Sequence, residues 1–192
     1  MPSPNPQAFA FLAARRSHPA KQFAGPVPSR EALKPILEAA LRVPDHGKLE
    51  PWRLIVLEKP DMARLATLAA DHATAIGADS EKTAKARGQF DMGQLAVVVI
   101  ASPKPSDKVP LIEQTLSAGA LCFGLLNAAQ AAGWGANWLS GWPSHDHDFI
   151  ASAFGCAPSE TVAGIVHLGT PANEGADRPR PDLARVVQWG LA

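Results

Sequence analysis

Arg15-Arg16-Ser17 sets two guanidinium groups beside a hydroxyl. Arg42-Val43-Pro44-Asp45-His46 and Glu50-Pro51-Trp52-Arg53 place further cations and an imidazole just past the next helix-forming stretch. This is the donor set that a phosphorylated, planar cofactor requires. Arginine presents a fixed fork of N–H donors to a phosphate, a serine hydroxyl adds a neutral donor, and an aromatic side chain walls off the rest. An arginine pair standing alone is more often a solvated face, and His46 alone reads equally well as a loop histidine. The grouping with Arg42, Pro44 and Asp45 is what raises both above that reading.

Other clusters carry less. His145-Asp146-His147-Asp148 contains good ligands for zinc or iron, but no His-Glu-x-x-His helix is present. An aspartate capping a helix at this point needs no metal, and no metal site is expected. No Gly-x-Gly-x-x-Gly follows a strand and no phosphate loop ending in Gly-Lys-Ser/Thr occurs, which removes the dinucleotide-fold and P-loop readings. Ser140 lacks a nucleophile elbow, because Trp138 and Trp142 stand where its glycines belong. Trp134, Trp138 and Trp142 suit a loop lined with ring faces better than a helical stripe, given Gly135, Ser140 and Gly141 between them.

The elements that must position these groups fit one domain over residues 1–192, with 46% hydrophobic residues to fill its core. Eighteen basic residues balance eighteen acidic ones, so local clusters must bind any anion and no nucleic-acid partner is indicated. Two cysteines, Cys122 and Cys156, give no disulfide framework, and a reducing, cytoplasmic setting is expected. Met1 to Gln7 holds three prolines and no basic segment, unlike a secretory signal, and reads as a loose arm. The uncharged stretch 114–132 is interrupted by Gln114, Asn127 and Gln130 and reads as a buried or interface helix rather than a membrane span.

Apolar spacing predicts helices over 6–14, 30–43 with Ser29 as cap, 113–132 and 148–154. Pro35 is expected to kink the second or delay its start. Asp61 is expected to cap a helix through Met62, Leu65 and Leu68. Strands are predicted at 52–57, 95–100 and 163–169, the last ended by Thr170-Pro171. Residues 71–88 read as polar, helical only in patches, and suited to a flexible cover. The tail 172–182, with Arg178-Pro179-Arg180-Pro181, is expected to wrap over something, such as a second subunit.

Arg15-Arg16-Ser17, the run ILEAALRVPDHGKLEPW from Ile36 to Trp52, Ser117-Ala118-Gly119-Ala120, GWGANWLSG from Gly133 to Gly141, and His167-Leu168-Gly169-Thr170-Pro171 together resemble the small, single-domain branch of the flavin-dependent nitroreductases. The motifs span most of the chain in family order. The resemblance implies an α+β fold, with a central, mostly antiparallel sheet flanked by helices, and a homodimer holding FMN at its interface. It also implies an oxidoreductase that passes hydride from NADH or NADPH to an electron-poor acceptor such as a nitroaromatic or quinone. A flavin-binding or storage protein without turnover is the alternative.

By the same resemblance Arg15 and Ser17, with Arg16 adjacent, hold the phosphate and ribityl side of FMN. Arg42 and His46 reach the flavin from the partner chain. Trp138, Leu139, Ser140 and Gly141 run beside the ring, and Arg178 and Arg180 are the C-terminal phosphate ligands. No side chain is expected to act as a nucleophile, the chemistry lying at the flavin. Relatives tend to carry a basic residue where Leu139 stands, so contacts from this segment fall to its backbone. The long insertion of larger relatives is missing, which implies a more open substrate cavity.

Overall fold

The computed structural model describes residues 3–191, so Met1 and Pro2 of the expected arm lie outside it. Helix α1 (Pro6–Ala14) begins where the Asn5 side chain accepts the Ala8 N–H at 3.0 Å, with Pro6 as its first residue. Proline suits that position because its missing N–H is an orphan there anyway. The chain leaves α1 in extended backbone at Arg15, so Arg15, Arg16 and Ser17 exit together as expected.

Ser29 caps α2 (Arg30–Ala40), its Oγ accepting the Ala32 N–H at 3.2 Å. The helix starts on time and ends three residues short of Val43, with Leu33, Ile36 and Ala40 buried. Pro35 lies inside it and does not delay its start, since the cap and first turn form without the one N–H that proline lacks.

Five strands make the sheet: β1 (Phe23–Ala24), β2 (Trp52–Leu57), β3 (Leu95–Ala101), β4 (Gly135–Leu139) and β5 (Thr161–Pro171). The order is β1-β5-β3-β2, β4 also pairs with β5, and every one of these pairings is antiparallel. This agrees with the expected α+β architecture. β3 is buried along its whole length, as its unbroken apolar run predicts for a strand covered on both faces. Alternation splits it: Val97 and Val99 join one core cluster, Ala96, Val98 and Ile100 the other.

The first cluster is covered by α2 and α5 (Leu111–Ala131), through Leu33, Ile36, Leu121, Cys122 and Leu125. The second lies under α3 (Lys59–Ala75), α4 (Ser80–Asp91) and α6 (His147–Phe154), through Met62, Leu65, Phe90 and Phe149. A last short helix, α7 (Leu183–Val186), has no buried residue.

Three expectations are corrected. Residues 71–88 are not a flexible cover: they complete α3, turn at Gly77 and form most of α4. The buried stripe of this hairpin is alanine, with Ala66, Ala69, Ala73 and Ala86 fully covered, so close helix packing hides behind a polar composition. Asp61 is the third residue of α3 rather than its cap, its Oδ2 accepting the Glu58 N–H at 3.0 Å. The segment around Trp138 is strand, not loop. Gly135 to Leu139 pairs in register with Gly169 to Ile165, and the three tryptophans part company: Trp134 packs in the α2/α5 cluster, while Trp142 stacks on His72 with ring centroids 6.1 Å apart.

The long helix starts at Leu111, two residues before Glu113. β5 likewise takes in Thr170 and Pro171 instead of ending before them. Both cysteines are buried and unpaired, and among the described residues no helix is long and apolar enough to cross a membrane.

Candidate functional site

The exit of α1, strand β4 and the C-terminal tail meet around a cleft of about 450 Å³, a volume within the range of small-molecule and cofactor sites. Arg15, Arg16 and Ser17 form one wall, Asn137, Trp138 and Leu139 the floor, and Ala176, Asp177, Arg178 and Arg180 the opposite wall. Seven of the residues singled out from sequence therefore converge from three distant segments.

Backbone contacts hold those segments together. The His18 N–H donates to the Ala136 carbonyl at 3.1 Å and Asn137 Nδ2 to the His18 carbonyl at 2.9 Å, which lays the Arg15–His18 stretch along the outer edge of β4. Since a strand repeats every two residues, the Trp138 N–H and C=O point to that same outer edge as the Ala136 carbonyl. The tail follows β5 after β1 pairs with its end, Ala172 N–H donating to Gln22 O at 3.0 Å. It then crosses Ser17 so closely that a Cβ on Gly175 would stand 2.9 Å from the Ser17 carbonyl. Arg16 Nη1 donates to Gly175 O at 3.1 Å and Arg180 Nη2 to Ala13 O at 3.3 Å.

Four arginines face one carboxylate here, so the cleft is cationic. The Arg15 guanidinium lies 5.8 Å from the Phe123 ring centroid and has no hydrogen bond or ion pair to the chain among the described residues. Arg16 and Arg180 both approach Asp177. The Trp138 ring packs against β5. Its indole Nε1 donates to Ala163 O at 3.3 Å, and the ring occupies the space a side chain at Gly164 would fill. A dianionic phosphate at the arginines and a planar heteroaromatic system along β4 both match these donors.

Leu139 also borders a second cavity of about 240 Å³, shared with Ser140, Gly141, Lys85 and Gln89 of α4, and Met92 at the end of that helix. Ser140 and Gly141 thus sit on the far side of Leu139 from the arginines. Gly141 is required there, because a Cβ would overlap Gln89 Oε1, whose amide Nε2 donates to Ser144 Oγ at 3.1 Å. Arg42 and His46 do not line either cavity. His46 Nδ1 lies 2.6 Å from Glu113 Oε2 on an exposed face. Its turn is stiff: Gly47, Lys48 and Glu50 all have positive φ, and the Asp45 carboxylate accepts the Leu49 and Glu50 N–H groups at 3.2 and 2.8 Å. Ser117 Oγ, donating to Pro44 O at 2.7 Å, ties this turn to α5.

Asp146 caps α6, accepting the Phe149 N–H at 2.9 Å, and lies 2.9 Å from His72 Nε2, which gives this member of the His/Asp cluster a structural role. Burial pushes the Cys122 thiol up to about 12 and raises that of Cys156 as well, so neither is poised as a thiolate. Arg53 grips Glu160 through two bonds of 2.8 and 2.9 Å and holds its carboxyl down at about 2. His167, fully buried on β5, is pushed down to about 4 by desolvation, and neither ring nitrogen has a hydrogen-bond partner among the described residues.

Sequence reasoning missed Asn137, Asp177, Lys85 and Gln89 of α4, and Met92 just past it. Asn137 sits beside Trp138 within a stretch already singled out. Reading that stretch as a strand puts Asn137 and Leu139 on one face.

Residues 12–170 match the family model described as Nitroreductase family. "Putative NAD(P)H nitroreductase YdjA" of Escherichia coli (strain K12) is 35% identical over 164 residues, covering 85% of this chain and 88% of that protein. A Haemophilus influenzae protein named in the same terms is 38% identical over 165 residues, covering 85% of this chain and 88% of its own. Among solved structures, a nitroreductase-like family protein from Bacillus cereus superposes with a TM-score of 0.76 at 20% identity, covering 98% of both chains. The FMN complex of a nitroreductase-family protein from Desulfovibrio desulfuricans reaches 0.73 at 22% identity, covering 98% of this chain and 99% of that one.

Proposed function

We propose, on the premise that this chain belongs to the nitroreductase family, that it is an FMN-dependent oxidoreductase. The reading rests on one observation: residues 15–17, 137–139 and 176–180, far apart in the chain, close on a single cleft lined by four arginines and by Asn137, Trp138 and Leu139 of β4. Arg15, Arg16, Arg178 and Arg180, with the Ser17 hydroxyl, would hold the phosphate and ribityl side. Trp138 and Leu139 would flank the ring, and Ser140 and Gly141 extend the same surface toward α4.

Bound FMN supplies the redox chemistry, taking two electrons from NADH or NADPH and passing them to an electron-poor acceptor such as a nitroaromatic or quinone. The chain's part is to bind, orient and shield. The guanidinium forks neutralise the phosphate, the outward Trp138 N–H and C=O offer a donor and an acceptor to a heteroaromatic edge, and the Asn137–His18 bond fixes the wall that carries the arginines. The cavity beside Leu139, bounded by Lys85, Gln89 and Met92, is the space assigned to reductant and acceptor in turn.

Arg42 and His46 are assigned to the flavin site of a second copy, in a homodimer with FMN at its interface. Two features support this. Their turn is rigid and solvent-facing, and Leu111, Ile112 and Leu116 expose more than 60% of their surface at the adjoining end of α5, an apolar patch of the kind that marks an interface.

Purified protein is expected to be yellow and to release FMN, not FAD, on heating. Anaerobic mixing with NADH or NADPH is expected to bleach it before any acceptor is added. Protein that neither carries nor rebinds FMN refutes the proposal, whereas bound flavin that neither nucleotide bleaches marks a flavin-binding or storage protein.

A further inference from the structure

We propose that Asp177 competes with phosphate for two arginines of the cleft, Arg16 and Arg180, so that binding the anion displaces a carboxylate that bridges them. The inference rests on the reading of this cleft as a phosphate-binding site. Asp177 Oδ2 lies 3.7 Å from Arg16 Nη2, and Oδ1 lies 3.3 Å from Arg180 Nη2. One carboxylate therefore links a guanidinium at the exit of α1 to one in the tail, two groups that otherwise repel across the cleft.

The geometry makes this a replaceable contact. Charge-assisted N–H···O bonds at full strength run at about 2.7–2.9 Å and are often forked, whereas both contacts here are longer and single. All three side chains keep between 38% and 59% of their surface in solvent, where ion pairs contribute little. A phosphate dianion brings more charge and more acceptor oxygens to the same donors. Arg15 and Arg178 have no such carboxylate partner among the described residues and remain open to the anion from the outset.

The tail is thereby preorganised and its carboxylate displaceable. Arg16 and Arg180 are held near the anion position before any ligand arrives. Binding exchanges Asp177 for phosphate at both guanidinium groups, while the Arg16–Gly175 and Arg180–Ala13 bonds keep the tail in place.

The test titrates FMN and riboflavin, which lacks the phosphate, into wild type, Asp177→Asn and Glu174→Gln by flavin fluorescence. Exposed pairs of this kind shift an equilibrium by about one- to fivefold each. Asp177→Asn is therefore expected to bind FMN roughly three- to tenfold more tightly while riboflavin affinity stays the same. Glu174→Gln makes the same charge change in the tail without an ion pair to these arginines, and is expected to match wild type. Unchanged or weaker FMN binding by Asp177→Asn overturns the proposal, and so does an equal gain from Glu174→Gln, which would reduce the effect to bulk charge. If no variant binds either flavin, the flavin reading itself fails, and inorganic phosphate decides this inference. A larger rise of melting temperature with phosphate in Asp177→Asn than in wild type supports it, and an equal rise overturns it.

Discussion

Arg15→Ala separates binding from folding more cleanly than any other substitution at the cleft. Arg15 touches the rest of the protein through its approach to the Phe123 ring at 5.8 Å, and exposed cation–π contacts contribute about 0.5–1 kcal/mol. Its removal is expected to shift unfolding by no more than that, or a few degrees in melting temperature. A charge-assisted hydrogen bond to phosphate is worth about 1.5–3 kcal/mol, and every 1.4 kcal/mol is about tenfold in affinity. FMN should therefore dissociate about 10- to 150-fold more readily from the variant, while riboflavin affinity is unchanged. Flavin fluorescence titration at two salt concentrations, beside a thermal melt, reads both. If FMN affinity is undiminished, or riboflavin weakens as much as FMN, Arg15 is not a phosphate ligand. Arg178 and Arg180 would then have to carry the charge. Arg16→Ala is a poorer probe, since it also cuts the tail loose from Gly175 and Asp177.

Acid should destabilise the fold in two stages. His167, held down at about 4 by burial, takes up protons more readily when unfolded, so its contribution is complete above its ordinary value near 6.5 and is lost as pH falls from there toward 4. Glu160, held at about 2 by Arg53, follows the carboxylate rule: its contribution is present above the ordinary carboxylate range and is lost as pH falls toward 2. Melting temperatures of wild type and Glu160→Gln across this range should converge at the acid end, and parallel curves would contradict the assignment. Gly164→Ala drives a methyl into the Trp138 ring and should cost about 1–3 kcal/mol by overpacking while weakening FMN. Urea titration with near-ultraviolet circular dichroism would expose a neutral outcome. Analytical ultracentrifugation of FMN-loaded protein at low micromolar concentration should find a species near twice the 20.2 kDa chain mass, and a flavin-bearing monomer would remove the assignment of Arg42 and His46 to a partner's site.

Local signals were enough where one periodicity dominated. Asn5 and Pro6 open α1, the apolar run of β3 is a doubly covered strand, and β2 spans Trp52–Leu57 as its β-branched centre predicts. They failed where packing is carried by small residues or set by distant partners. The alanines of α3 and α4 contribute little apolar contrast, so a buried hairpin reads as polar chain. Gly135, Ser140 and Gly141 look like loop chemistry, yet β4 exists because β5, some 25 residues on, supplies its ladder. The arginines of the cleft were legible by type, and the structure brings Arg15, Arg16, Arg178 and Arg180 together. The counter-charge was not, because nothing in Asp177-Arg178-Pro179-Arg180 says which side of the tail the aspartate takes. Arg42 and His46, singled out by the same resemblance, line neither cavity.

Both cores are assembled from the middle of the chain, between Leu33 and Leu168, whereas the cationic walls of the cleft lie outside that span, at residues 15–17 and 176–180. Architecture and ligand capture are therefore physically separable. Proteolytic trimming after β5 would leave a folded remnant with its sheet and helices α1 to α6 complete, lacking α7 and stripped of Arg178 and Arg180 and of the strap across Ser17. Such a remnant would give a normal melting curve while failing to retain a phosphate, so a preparation's structural soundness and its cofactor content are independent quantities. A bulky fusion at either end would press on the same opening.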